Sequence, residues 1–496
     1  MEKQSQQSKK SIIRVFFVAS EAEPFIKVGG LGDVAGSLPK AIHKLSQEPS
    51  SDTKVDIRLC IPFYKSISIT PKKLKRVNSL TIPTLGGSVN GEIYSTKMDG
   101  VTVYLIKSPA ISNDPKIYNL DTRKDGEKFV FFSLACLELA KVLGWKPDIL
   151  HANDWHTALA VYMLGIKQRE EKFFQNAHSM ITLHNLPYMG GGTEKAMKKF
   201  MVPAITSDEL PQWACYQPLP MGLYSADAIV PVSPHYAKEL LTPEYAYELS
   251  DFFRKIKNKM EGILNGLDYA IWDPKQDQCI PAKFSLSNLE ERKKNKSALM
   301  KEFAFSGNPD TPLLIMVSRM DQQKGIELAL EGLRNIANKK WRVIILGNGD
   351  PLLEQEAHLL QTDFPDKVRV ILRYDSALAH RMYAGGDILL MPSLYEPCGL
   401  SQMIAMRYAC IPVARATGGL LDSIIRTTEK QIGTGFLFSE KTSDAFSAEL
   451  LHALSFFADQ SKWKRIQKKA MQQDFSWKKS AGEYIDQYCK LMEKKS

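Results

Sequence analysis

Cysteine is scarce and unorganised in this chain: 7 among 496 residues, at Cys60, Cys136, Cys215, Cys279, Cys398, Cys410 and Cys489, with no C-x-x-C pair. An odd, scattered set argues against a disulfide framework or a structural zinc site and fits a reducing compartment. Long apolar runs are missing as well. The stretch 12–19 is interrupted by Arg14 and followed at once by Glu21 and Glu23, which disfavours a secretory leader. No run approaches the roughly 18 apolar residues of a membrane-spanning helix. There is no internal repeat, no zinc-finger spacing and no aromatic RNA-binding signature. The excess of 65 Lys+Arg over 55 Asp+Glu, a net charge of +10, is mild and is not concentrated by any motif. Two basic clusters, 292–301 and 462–469, lie in helix-like stretches containing Glu or Gln and read as solvated helix faces. The expectation is a cytoplasmic, multidomain protein with neither nucleic acid nor membrane as partner.

What is present is the composition of a globular protein, 44% hydrophobic and 24% charged. The length suggests two or three domains. Residues 1–11 are polar and read as a flexible N-terminal arm. Short β-branched runs then alternate with helical patterns. Strands are expected at 12–19, 55–61, 101–106, 148–151, 179–184 and 228–232, and again at 313–317, 342–346, 368–372, 388–391 and 411–413. Such alternation implies parallel sheets built from βαβ units. Charged and turn-rich sequence between about 240 and 310 marks a boundary between two α/β domains.

The chemistry-bearing residues fall at the ends of these strands. After the first comes Lys27-Val28-Gly29-Gly30-Leu31-Gly32-Asp33, a glycine turn leading into a helix, where backbone N–H groups can approach a phosphate. His151-Ala152-Asn153-Asp154-Trp155-His156 closes another strand. The metalloprotease arrangement needs its histidines four apart on a helix, whereas these are five apart and straddle a strand end, so Asp154 reads as a hydrogen-bonding carboxylate beside a sugar or phosphate, or as a helix cap. His184-Asn185 ends a strand in the same way. In the second half, Arg319 and Lys324 flank a strand–turn–helix junction and can grip a diphosphate. Gly347-Asn348-Gly349-Asp350 forms a second glycine turn. Glu396 lies in Tyr395-Glu396-Pro397-Cys398-Gly399-Leu400, where a carboxylate can accept sugar hydroxyls and the following amides face phosphate. No base adjoins Cys398 in sequence, so packing or backbone contact is its expected role. A further glycine turn runs from Arg415 to Leu420.

Taken in order over nearly the whole chain, these segments, with 226–237, 262–268, 433–436 and 474–477, resemble the bacterial glycogen (starch) synthases. Those are retaining glycosyltransferases of the GT-B type. The resemblance implies two Rossmann-like domains whose parallel sheets face a deep interdomain cleft. They would span 12–264 on the acceptor side and 265–476 on the nucleotide-sugar side, with a C-terminal helix, 477–496, crossing back to the first. It implies catalytic roles for Asp154, His184, Arg319, Lys324 and Glu396. It places Lys27, Gly29, Gly30, Tyr118, Asn265, Tyr374, Cys398, Gly399 and Leu400 at the nucleotide sugar, with Tyr374 at the base and Asn265 reaching in from the linker. The implied partners are a nucleotide-glucose donor, ADP-glucose ahead of UDP-glucose, and an α-1,4-glucan acceptor. No metal and no cofactor are expected, since no Asp-x-Asp pair stands beside the diphosphate residues. Oligomeric state is not legible.

Three segments depart from the family pattern. Tyr188-Met189-Gly190-Gly191-Gly192 replaces a Gln-Gly run, Ala246-Tyr247-Glu248-Leu249 replaces a Gly-x-Gly-Leu stretch, and Lys124–Lys128 replaces an Asp-Asn-containing one. They bear on the acceptor side and on loop closure. Ile404 stands where related transferases often carry a second glutamate, as in the synthase branch. The alternatives are another GT-B transferase, such as a sucrose- or trehalose-phosphate synthase, an oxidoreductase suggested by the glycine turns alone, or a non-catalytic glucan-binding protein.

Overall fold

The computed structural model describes residues 12–69, 73–119 and 121–493, so the expected arm at 1–11 lies outside the described residues. The chain divides into two units: Met1–Val232, Ala237–Gly266 and Trp477–Ser496 form the first, Ser233–Tyr236 and Leu267–Ser476 the second.

Among the described residues, the first unit carries an eight-stranded sheet. Its strands are β1 (Ile12–Val18), β2 (Lys54–Pro62), β3 (Lys75–Thr84), β4 (Gly87–Met98), β5 (Val101–Lys107), β6 (Ile149–Asn153), β7 (His178–Leu183) and β8 (Ala228–Pro231). The order is β3-β4-β5-β2-β1-β6-β7-β8, and every pair from β5 to β8 is parallel. β1 is near-continuously apolar (IIRVFFV) and buried from Val15 onward, as a strand covered on both faces must be. The helix Gly30–Gln47 follows it, burying Leu31, Val34, Ala35, Leu38 and Ile42 at helical spacing. It stops at Glu48, which precedes Pro49 and takes extended dihedrals.

The antiparallel pair β3–β4 was not anticipated. β3 is exposed along most of its length and buries only Leu80 and Ile82, two residues apart. A half-exposed strand carries little apolar signal. The legible clue was a Gly86-Gly87 pair between two alternating stretches.

The C-terminal helix Trp477–Glu493 packs within the first unit, with Ala481, Tyr484, Ile485 and Tyr488 buried. A side chain at Gly266 would lie 2.7 Å from the Cα of Trp477, and Ser480 Oγ donates to Leu264 O at 2.6 Å. His151 is locked between this helix and β7: Nδ1 lies 2.7 Å from Tyr488 Oη and Nε2 2.7 Å from Thr182 Oγ1. Burial pushes its pKa down to about 3, so the ring is neutral. His151 is thus a structural pin.

The second unit carries a six-stranded, wholly parallel sheet in the order β11-β10-β9-β12-β13-β14. Its strands are β9 (Leu313–Val317), β10 (Arg342–Leu346), β11 (Val368–Ile371), β12 (Ile388–Met391), β13 (Ile411–Arg415) and the unanticipated β14 (Phe436–Phe438). The basic cluster at 292–301 is not simply a solvated face. Arg292 and Lys296 are buried on the helix Arg292–Glu302. Arg292 Nε donates to Tyr408 O at 2.9 Å, and Lys296 Nζ lies 2.7 Å from Asp387 Oδ2. Asp387 in turn accepts from Leu313 N at 2.8 Å, so the cations tie the helix to the start of β9.

Tyr488→Phe removes one hydroxyl and leaves His151 Nδ1 buried without its partner. The expected loss is about 1–3 kcal/mol, measured as a lowered midpoint in thermal or urea unfolding against the wild-type chain.

Candidate active site

In an open parallel sheet the ligand crevice lies at the carboxyl ends of the two strands between which the strand order reverses. In the first unit those strands are β1 and β6, which pair directly. The segment after β1 contains Ser20, Glu21 and Lys27–Gly30, and the residue after β6 is Asp154. In the second unit they are β9 and β12, followed by Arg319–Lys324 and by Glu396. The residues singled out from sequence therefore gather at one reversal point in each unit.

The first cluster is organised by Glu21, which sequence reasoning passed over. Its side chain is buried, and Oε2 accepts hydrogen bonds from the backbone N–H groups of Val28 and of Gly29, the latter at 3.2 Å. The glycine turn is thus folded around a protein carboxyl group. Gly29 caps the helix Gly30–Gln47 in extended conformation. Lys27 Nζ reaches Asp33 Oδ1 at 2.6 Å and stays partly exposed. Burial raises the pKa of Glu21 to about 7, against the lowering effect of the Val28 and Gly29 amides. The available signal was an acidic residue between a buried strand and a glycine turn.

Asp154 begins the helix Trp155–Glu170 with φ 51°, a left-handed conformation that few non-glycine residues adopt. Its side chain does not cap that helix. Oδ1 instead accepts from His184 N at 2.7 Å and Asn185 N at 3.4 Å, across to the segment after β7. Burial lifts its pKa to about 7; those two amides oppose the shift and the charge of Glu21 adds to it. His184 Nε2 lies 3.0 Å from Asn153 Oδ1, and burial holds its pKa down near 3, so the ring is neutral. Backbone strain at Asp154 and two buried acids with raised pKa values make this cluster a candidate functional site.

Tyr118 joins this cluster. Its Oη lies 2.8 Å from Ser20 Oγ, and its ring is 4.9 Å from that of His156. The segment bearing it is held by Lys128, which is buried and donates to Asp125 Oδ1, Lys116 O and Ile117 O, all at 2.9 Å. The atypical 124–128 segment is therefore a brace for Tyr118.

In the second unit Lys324 Nζ bonds both oxygens of Glu396, at 2.9 and 2.7 Å, and Ser393 Oγ donates to Glu396 Oε2 at 2.9 Å. The lysine and the carboxylate are both largely buried. Arg319 is exposed and pairs with Asp321 at 3.1 Å. Gly325, at φ 63°, lies against Pro392 O, where a Cβ would strike the carbonyl; only glycine lets the β9 and β12 loops approach this closely. Buried Arg415 grips Ser393 O at 2.7 Å and also Leu394 O, bracing the Glu396 loop from behind. The Gly347–Asp350 turn braces the other side: Met320 N donates to Asn348 O at 3.0 Å and Asp350 N to Met320 O at 2.7 Å. Cys398 is buried, Gly399 takes φ 73°, and Leu400 caps the helix Ser401–Arg407. Gln402 Nε2 donates to Cys398 O and Gly399 O, which shapes this turn. Tyr374 is 78% exposed, on the segment after β11. Asn265 is buried near the end of the first unit's second segment, Ala237–Gly266, and its Oδ1 has no hydrogen-bond partner among the described residues. The one cluster of potential metal ligands among the described residues, Asp277, Cys279 and His380, involves none of these. No helix among them is long and apolar enough to cross a membrane.

Two doubly wound α/β units, each with polar groups at its reversal point, define the GT-B class of glycosyltransferase. Comparison with known proteins narrows this. Residues 14–255 match the starch synthase catalytic domain family and residues 300–472 the glycosyl transferases group 1 family. The chain is 35% identical to a glycogen synthase of Bacillus anthracis, over 97% of this chain and 100% of that one. It is similar in structure to the catalytic domain of starch synthase IV from Arabidopsis thaliana, solved bound to ADP and acarbose, with a TM-score of 0.87, 30% identity and coverage of 97% and 100%. A sucrose-phosphate synthase of Thermosynechococcus elongatus matches at TM-score 0.61 and 17% identity over 97% and 99% of the chains, a likeness of fold alone. The chain belongs to the glycogen and starch synthase family of retaining glycosyltransferases.

Because the pKa of Asp154 is raised from 3.8 to about 7, the folded protein holds a proton there that the unfolded chain has already lost. The stability associated with this group is full below about pH 4 and falls as pH rises toward 7. Asp154→Asn keeps the acceptor oxygen and removes the charge. Its unfolding free energy should match wild type near pH 4, exceed it increasingly up to pH 7, and hold a constant margin of a few kcal/mol above. Denaturant titrations across pH 4–8 check this.

Proposed function

We propose that this enzyme transfers glucose from a nucleotide-glucose, ADP-glucose ahead of UDP-glucose, to the non-reducing 4-hydroxyl end of an α-1,4-glucan with retention of configuration, in the cytoplasm. The observation that carries the reading is the Lys324–Glu396–Ser393 arrangement at the reversal point of the second unit, with Arg319 exposed beside it. It is supported by the glycogen synthase relatives and by the ADP and acarbose bound to the Arabidopsis protein.

Cleavage of the bond between glucose C1 and the diphosphate develops negative charge on the leaving oxygen and oxocarbenium character on the sugar. Arg319 and Lys324 stabilise the leaving diphosphate, and Lys27, with the close backbone approach that Gly29 and Gly30 allow, serves its phosphates. Tyr374 stacks on the base, and Asn265 with the Cys398–Leu400 turn contacts the donor. Glu396 keeps Lys324 in place and retains lone pairs for a sugar hydroxyl. Neutral His184 binds donor glucose, and ionised Asp154 offsets the positive charge on the ring. The acceptor 4-oxygen bonds to C1 on the face the diphosphate leaves, and its proton passes to that departing oxygen. On this reading the protein's cations carry the role that a divalent ion has in other transferases, so chelators leave the rate unchanged.

The test is incubation with ADP-glucose or UDP-glucose and glycogen, following nucleotide release and chain elongation; no elongation from either donor defeats the reading. Arg319→Ala, whose side chain is exposed, should fold normally and lose about 10²–10³-fold in kcat. The wild-type rate should rise with pH through about 7 as Asp154 ionises, and Asp154→Asn should lose that rise along with most activity. Mass spectrometry that finds a glucosyl adduct on Asp154 or Glu396 overturns the same-face scheme.

A further inference from the structure

Residues 187–191 and 247–248 line one groove of about 540 Å³ in the first unit. Its walls include Tyr188, Trp213 and Tyr247, and its polar groups are Gln217 and Glu248. Tyr188 is 49% and Tyr247 46% exposed, so two large rings face solvent where a folded chain would ordinarily tuck them in. Trp213 Nε1 donates to Glu248 Oε2 at 2.9 Å, which fixes the indole against the carboxylate. Tyr247 and Glu248 take φ 48° and 68°, two consecutive non-glycine residues in the left-handed region. Strain of this kind is retained where it presents a side chain for use. The opposite wall is equally held. Gly190 has φ 81°, and a Cβ there would lie 2.6 Å from the Trp155 ring, so the loop is pressed onto the first residue after Asp154. Tyr188 N donates to Asn185 O at 3.3 Å, so the groove wall begins at the end of the His184-Asn185 pair.

The lining contains no lysine, arginine or histidine. A phosphate or nucleotide would find no counter-charge there and would meet the carboxylate of Glu248. A neutral polyhydroxylated ring fits on both counts. Its C–H faces lie on aromatic faces, its hydroxyls donate to Glu248, and the Gln217 amide both donates and accepts.

We propose that this groove is a glucan-chain subsite, taking α-1,4-linked glucose rings of the acceptor away from its reacting end, through Tyr188, Trp213 and Tyr247. The proposal rests on the reading that the enzyme elongates a glucan. The probe is maltoheptaose. Its Kd is measured by titration calorimetry and its KM by elongation, for the full-length wild type, Trp213→Ala and Tyr188→Ser; the exposed position of Tyr188 guards against misfolding. Kd and acceptor KM should each rise at least tenfold in both variants, with the donor KM unchanged. Elongation by wild type, with both variants keeping its Kd and acceptor KM for maltoheptaose, overturns the groove alone. Maltoheptaose binding that is lost in both variants, with no elongation by wild type from either donor, overturns the functional reading and leaves the groove standing.

Discussion

The constraint on which this structure depends is the reversal of strand order in a parallel sheet. Successive βαβ crossovers are right-handed, so a sheet that grows first one way and then the other places its helices on both faces. At the strand where growth reverses, two neighbouring connections leave in opposite directions and open a crevice that no helix covers. β1 and β6 flank that crevice in one unit, β9 and β12 in the other. Each carries its polar residues beyond a largely buried strand. Strand burial supplies the rigidity, and the strand end supplies the access.

Within these crevices three carboxyl groups are managed in two ways. Glu396 is met by an ammonium and a hydroxyl, a pair whose charges compensate where water is scarce. Glu21 and Asp154 are met by backbone amides, which carry only partial charge, and the charge of Glu21 adds to the cost of ionising Asp154. Amides alone do not offset the burial, so both titrate near neutrality while serving as anchors for the Val28–Gly29 and His184–Asn185 backbones. A structural role and a poised charge are thus compatible in one side chain.

What was legible in the sequence followed from local pattern. Strands buried on both faces announce themselves as apolar runs, and a polar residue directly after such a run can be placed at the crevice without coordinates; Asp154, His184, Lys324 and Glu396 were found in this way. The remainder required contacts distant in sequence. β3 and β4 hide because one exposed face halves their apolar content. Glu21 looks like an ordinary loop acid until the backbone of 28–29 closes on it. Arg292 and Lys296 read as surface charge, and no local pattern marks Lys128 or Arg415 as buried, yet all four are buried and satisfied mainly by carbonyls or carboxylates from other elements. Asp154 was read as a possible helix cap, and it does occupy that position. Its positive φ turns the carboxyl away to the neighbouring loop, and no residue pattern encodes that rotation.

The same rotation links the Asp154 carboxyl group to the aromatic groove. By holding the amides of His184 and Asn185, Asp154 fixes where the segment after β7 starts, and two residues later that segment supplies a wall of the aromatic groove. Gly190 then presses the segment back onto Trp155, the residue adjacent to Asp154. The loop is therefore clamped at both ends by the start of a single helix, and a rigid clamp costs less ordering on binding than a loop that must find its shape. Changes at Tyr188, Tyr247 or Glu248 can reshape the groove wall without touching the hydrogen bonds that hold the Asp154 carboxyl group, because those bonds go to the amides of His184 and Asn185.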